Sequence, residues 1–178
     1  SPHINQQSGV SVRASIASAE LLVSSAERRC LRHGELEVVP RVSDLAHIAA
    51  GCRGKIELML AEDEKAEDAL IASIVGEGVK VLFEKYAKLS DFETVIEAFS
   101  DKGVSVEIGD DVSTIELLAA VAKVPGLKKA AVAFCDSIDQ PHDSEARLAA
   151  AAEFILEALY VQNRLSKYAY HGRTFFKR

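Results

Sequence analysis

The residue types that most often carry chemistry are present in this chain, but not at the spacings that chemistry needs. A phosphate-cradling loop requires two glycines four residues apart followed by Lys and a hydroxyl, so that backbone N–H groups wrap the phosphates and the hydroxyl reaches magnesium. The nearest stretch, Gly51-Cys52-Arg53-Gly54-Lys55-Ile56, has too short a gap and Ile where the hydroxyl belongs. It reads as a loop leaving a short helix. The five histidines (His3, His33, His47, His142, His171) form no helical metal pair, and no two cysteines stand two residues apart, so no zinc site assembles locally. No glycine-flanked serine elbow is present. Cys135-Asp136 lies near His142 in sequence, but nothing in the spacing brings them together. We expect no catalytic residue, metal site or cofactor belonging to this chain alone.

Two charged stretches remain. Gly109-Asp110-Asp111 precedes Ser113-Thr114-Ile115-Glu116, where acidic side chains favour a helix N-terminus by about 0.3–1 kcal/mol each. At the other end, Arg164, Lys167, Arg173, Lys177 and Arg178 carry five positive charges with no acid among them, interleaved with Tyr168, Tyr170, Phe175 and Phe176. The candidate partner-binding residues are Arg164, Lys167, Tyr168, Tyr170 and Arg173, since aromatics among cations serve docking and base stacking alike. Such a tail more often docks on its own protein or is disordered. The net charge is −6, and the five tail cations leave −11 on the rest. An acidic body of this kind argues against nucleic acid, whose phosphates need a basic face.

The elements that would position these residues are mainly α-helical. Apolar residues make up 48% of the 178, aromatics only 6%, and Trp is absent, the composition of packed helices rather than a sandwich. Val12, Ile16, Ala19, Val23, Ala26 and Cys30 recur at steps of four and three, predicting a helix over 11–33 that stops at Gly34. Ser43 is the expected N-cap of a short helix with Leu45 and Ile48 inward and Gly51 at its end. A long helix is expected over 64–88, with Ile71, Val75, Val79, Leu82 and Tyr86 inward and Gly76 and Gly78 as a point of weakness. Ser90 with Glu93, and Ser113 with Glu116, predict two capping boxes. The last helix is expected from Asp143 or Ser144 to Ser166. The alternation over 54–60 and 103–109 allows one short β-hairpin, 56–60 with 104–108. Cys30, Cys52 and Cys135 each sit in apolar stretches and read as buried reduced thiols, which, with no membrane span or signal pattern, places the chain in the cytoplasm.

Order and wording of several segments resemble a known family. Asn5 to Ile16 (NQQSGVSVRASI), then Pro40-Arg41-Val42-Ser43-Asp44-Leu45 and Gly54-Lys55-Ile56-Glu57, are similar to the post-core region of magnesium-chelatase-like, MoxR-related AAA+ ATPases. So are Val81 to Tyr86, Gly103 to Gly109 and Phe154 to Tyr160, so the resemblance spans most of the chain. It implies a helical lid over 1–60 and a helical C-terminal extension over 61–178. The opening Ser1-Pro2-His3 and the missing phosphate loop then imply an upstream ATPase core in the same parent chain. It further implies ATP and Mg²⁺ for that parent, and neighbouring subunits of a ring as partners. By motif position Arg13 is the second sensor, an arginine that reaches the γ-phosphate. A guanidinium suits that role because its forked donors match phosphate oxygens and it never loses its charge.

Overall fold

In a computed structural model of the chain, the residues described are 12–52, 64–101, 103–170 and 173–178. The first helix, α1 (Val12–His33), contains no Gly or Pro. It stops where Gly34 adopts φ +64° and Glu35 N–H turns back to Cys30 O at 2.9 Å, the left-handed termination that glycine permits without a Cβ clash. The expected inward stripe of α1 holds only at Ala26 and Cys30. Val12, Ile16, Ala19 and Val23 are exposed, and the buried side is Ala14, Ser25, Ala26, Arg29 and Cys30. The helix is rotated because two polar residues, Ser25 and Arg29, must reach a buried acid, a demand that apolar spacing does not report.

A 3-10 turn (Val42–His47) leads into α2 (Ile48–Cys52). Its cap is Arg41 rather than the expected Ser43: the Asp44 carboxylate accepts the Arg41 N–H at 2.8 Å, which leaves the Ser43 N–H for another acceptor. Leu45 and Ile48 are half-buried as expected. Gly51 lies within α2, and a Cβ there would come 2.5 Å from Leu21 Cδ1, so the missing side chain is what allows α2 to approach α1.

The long helix α3 (Glu64–Tyr86) runs through Gly76 and Gly78 without a break. It buries Ile71, Val79 and Phe83 with Val75 and Tyr86 partly covered, while Leu82, expected inward, is exposed. Phe83 takes the inward place and meets Phe92 at 5.1 Å between ring centres. Before α4 (Glu93–Asp101) a short turn (Leu89–Phe92) is capped at Lys88 by Asp91, at 3.3 Å, so the Ser90–Glu93 box does not form. At α5 (Thr114–Val121) the Ser113–Glu116 box does form, with Glu116 N–H donating to Ser113 Oγ at 3.2 Å and Ser113 N–H to Glu116 Oε2 at 2.9 Å. Ser113 Oγ also donates to Glu116 Oε2 at 2.7 Å, and this bond together with that of the Ser113 N–H holds the Glu116 carboxyl below its usual range.

Helix α6 (Leu127–Ser137) follows Gly126, and α7 (Glu145–Val161) is capped by Ser144. The axis of the core is α7: Ala149, Ala152, Ile155, Leu156, Ala158 and Leu159 are wholly covered, and its alanines let the neighbouring helices pack close. It ends five residues before the expected Ser166, because Asn163 turns to φ +59° and Arg164 N–H returns to Leu159 O at 2.8 Å. The chain then forms β2 (Ser166–Tyr170) and β3 (Arg173–Lys177). With β1 (Val106–Ile108) these make an antiparallel sheet in the order β1-β3-β2, with Val106 opposite Phe176 and Tyr168 opposite Phe175. Strand formation within 104–108 is thus realised with the C-terminal strand as partner, and residues 56–60 lie outside those described. The described residues are mainly helical with one small sheet. Cys30, Cys52 and Cys135 are buried with free thiols.

Candidate functional site

Arg13 stands in the first turn of α1 on the exposed side of the helix, beside the uncovered Val12 and Ile16. The far half of the same helix is locked into the body. Arg29, fully buried, donates from Nη2 to Val39 O at 2.7 Å and to Asp44 Oδ2 at 3.1 Å, and from Nη1 to Glu35 Oε2 at 3.2 Å. Ser25 Oγ donates to the other Asp44 oxygen at 2.9 Å. Arg41, also buried, donates to Val112 O at 2.8 Å and Thr114 Oγ1 at 2.6 Å and lies 3.6 Å from Glu35 Oε1, which accepts the Thr114 N–H at 2.6 Å. Ser43 N–H donates to Glu153 Oε1 on α7 at 2.6 Å.

The cluster therefore ties four charged residues of the α1–α2 segment (Arg29, Glu35, Arg41, Asp44) to Val112, Thr114 and Glu153 of the rest. Two arginines face three carboxyls, and burial pushes the Glu153 carboxyl up, only partly opposed by Arg41 and by the bond from the Ser43 N–H. With Glu153 neutral the buried charges balance. Burial and the neighbouring Arg29 pull the Arg41 guanidinium down, while Glu153, Glu35 and Asp44 oppose the shift. Such an arrangement costs desolvation that its ion pairs and hydrogen bonds recover only in part, since Arg29 Nε, Arg41 Nε, Ser43 Oγ and Glu153 Oε2 are buried without a partner. A rim of surface pairs surrounds it: Arg147 with Glu37 at 3.0 Å, Arg28 with Asp110 at 3.8 Å, and Arg32 with Asp111. Asp110 and Asp111, expected to serve the next helix start, thus reach α1.

The C-terminal stretch forms part of the sheet. Lys167 points inward and pairs with Glu157 at 2.5 Å, with its ammonium over the Tyr160 ring at 5.1 Å and the Phe176 ring at 5.4 Å. Phe176 is wholly buried. Tyr168 stacks on Phe175 at 5.3 Å on the opposite face, under Lys177, where Tyr170 and Arg173 are exposed; Arg173 reaches Glu107 at 3.4 Å. Arg164 is exposed and lines a small cleft with Arg178, Glu93 and Glu97. The five tail residues named from sequence are therefore divided among different faces rather than gathered into one.

Two larger clefts flank the turn at Val42–His47. One, of about 500 Å³, is lined by His47, Asp68, Asp110, Glu157 and Lys167. The other, of about 700 Å³, is apolar and lies between α3, α6 and α7 with Val79, Leu82, Phe134 and Phe154 on its walls. Cys135 also lines it, and burial with the neighbouring Asp136 pushes its thiol up, away from thiolate chemistry. Among the described residues no group of three His, Cys, Asp or Glu is placed to hold a metal ion, and no helix is long and apolar enough to cross a membrane.

Searches against protein families, curated proteins and solved structures find no match to this chain.

The buried cluster is what sequence reasoning missed. One signal for it existed: Glu153 lies in the run Ala149 to Leu159, in register with Ala149 and Leu156 on the covered side of the helix, where an acid needs a buried partner.

Proposed function

We propose that this chain is the lid and C-terminal extension of a magnesium-chelatase-like AAA+ ATPase, with Arg13 as nucleotide sensor. The observation that supports the reading is the contrast along α1: an exposed arginine at its head and a charge-locked second half. A contact made by Arg13 with a γ-phosphate would move α1 together with everything the Arg29, Arg41 and Asp44 cluster holds, so that a local event shifts the whole body. The guanidinium fits the three phosphate oxygens by charge and by its forked donors. ATP and Mg²⁺ would be held by an upstream core in the same parent chain. Coupling to ring neighbours or to a client protein would run through the acidic helical body.

The test is Arg13→Ala in the full-length protein carrying the ATPase core. ATP turnover should fall by about tenfold or more, with partial retention in Arg13→Lys, because a point charge without the fork recovers only part of the interaction. Unchanged turnover in Arg13→Ala sinks the reading. The second reading is a free-standing helical interaction module without nucleotide. The exposure of Val12, Ile16 and Val23 along one face favours it.

A further inference from the structure

Val12, Ile16, Ala19 and Val23 follow one another at steps of four, three and four, the spacing of a two-helix coiled-coil seam. All four are exposed, at 74% for Val12, 53% for Ile16 and 46% for Val23, far more than a seam facing its own core would show. The next two seam positions, Ala26 and Cys30, are covered by the protein itself, so the open part runs over the first three turns and stops.

In the heptad frame Val12 and Ala19 are d positions, Ile16 and Val23 are a positions, and Arg13 and Glu20 are both e positions. Antiparallel helices pack a against d, which sets Val12 over Val23 of a second copy and Ile16 over its Ala19. The two-fold axis then falls between Ala17 and Ser18. This register also brings e against e: Arg13 of each copy meets Glu20 of the other, twice, with no like charges opposed. A parallel pairing would set the e positions against g positions, here Ser15 and Leu22, and bring no opposite charges together across the seam. The face is thus complementary to itself in one orientation, as a closed two-fold interface requires.

We propose that the open face of α1 pairs antiparallel with the same face of a second copy of this chain, joined by Val12–Val23 and Ile16–Ala19 layers and two reciprocal Arg13–Glu20 ion pairs. The proposal does not rest on the nucleotide reading. Where Arg13 also serves a phosphate, the two uses exclude one another.

Sedimentation velocity of the 178-residue chain over rising concentration should show a monomer–dimer equilibrium. Arg13→Glu and Glu20→Arg should each weaken association by about tenfold, and the combined swap should restore it, because the reciprocal pairs are remade with exchanged signs. Val23→Glu should abolish it. Under mild oxidation, Val12→Cys with Val23→Cys should give a disulfide-linked dimer, whereas Val12→Cys alone should not, since the two copies of position 12 sit at opposite ends of the seam. A monomer at every concentration, a double swap that fails to restore pairing, or ready cross-linking of Val12→Cys alone would each overturn the proposal. All these readouts report association and none reports ATP turnover, so this inference and the sensor reading fail separately.

Discussion

Glu153 of α7 accepts the backbone N–H of Ser43 at 2.6 Å, from a position with no exposure to solvent. Its other oxygen and the Ser43 hydroxyl, which faces the same carboxyl, are both buried without a partner. A proton on Glu153 gives that oxygen a hydrogen to donate, and balances the two buried arginines against Glu35 and Asp44.

The pH dependence of stability follows from this. The folded-state pKa of Glu153 is raised by burial, so the folded chain holds a proton that the unfolded chain releases above the ordinary carboxyl value of about 4.3. The contribution is fully present below that value and is lost as pH rises towards the folded pKa, with a slope of at most about 1.4 kcal/mol per pH unit. Urea unfolding from pH 5 upward should show this decline, and Glu153→Gln should flatten it. A wild-type curve that rises with pH over the same window, or one that Glu153→Gln leaves unchanged, would mean that the carboxyl is ionised.

Arg41 tests the cluster from the opposite charge. Arg41→Met keeps much of the volume but takes the donors from the Val112 carbonyl and the Thr114 hydroxyl and leaves Arg29 as the one cation facing the three carboxyls, and breaking a buried charged contact in this way costs about 3–5 kcal/mol. The same substitution at Arg28, whose ion pair is exposed, should cost under about 1 kcal/mol. Chemical denaturation midpoints at constant m-value decide the comparison.

How far the fold was legible is best seen at the helix ends. The α1 boundary at Gly34 and the Ser113–Glu116 box were readable because each depends on residues within one turn. The Ser90–Glu93 pair has the same local pattern, yet Asp91 caps Lys88 two residues earlier, where Phe92 can reach Phe83. Long-range demands account for the other departures. Ser25 and Arg29 turn α1 towards Asp44, which leaves Val12, Ile16 and Val23 outside, and β3 supplies β1 with a partner nearly 70 residues away. Of the candidate site, Arg13 was placed by motif and lies exposed at the helix head. The tail was identified by composition, which cannot tell that Lys167 and Phe176 face inward while Tyr168 and Phe175 face out.

Ser113 and Ser90, alike in sequence pattern, predict different outcomes for the same mutation. Ser113→Ala removes a hydroxyl that accepts the Glu116 N–H, and should cost about 1 kcal/mol. Ser90→Ala removes only a hydroxyl bonded to the Asp91 side chain at 3.3 Å on the surface, and should stay within about 0.5 kcal/mol of wild type. Thermal unfolding of the two variants side by side is sufficient, and equal losses would show that the Ser90 box forms in solution.

The C-terminal strands separate structural from exposed aromatics within one hairpin. Phe176 has no exposure, lies opposite Val106 and packs with Tyr160 at 6.4 Å, so Phe176→Ala should cost about 3–5 kcal/mol through lost burial and the cavity left behind. Tyr170 is 63% exposed near the hairpin end, and Tyr170→Ala should change stability by under about 0.5 kcal/mol. Lys167 gives the intermediate case: Lys167→Met keeps the stem over Tyr160 and Phe176 but leaves Glu157 without its cation, so the loss should exceed that of Tyr170→Ala and fall short of Phe176→Ala. Denaturant midpoints in that order mean that the basic tail is held by the body through its inward face. Equal small effects for all three would mean that the hairpin is not docked, and that Val106 and Ile108 lack the β3 partner that covers them.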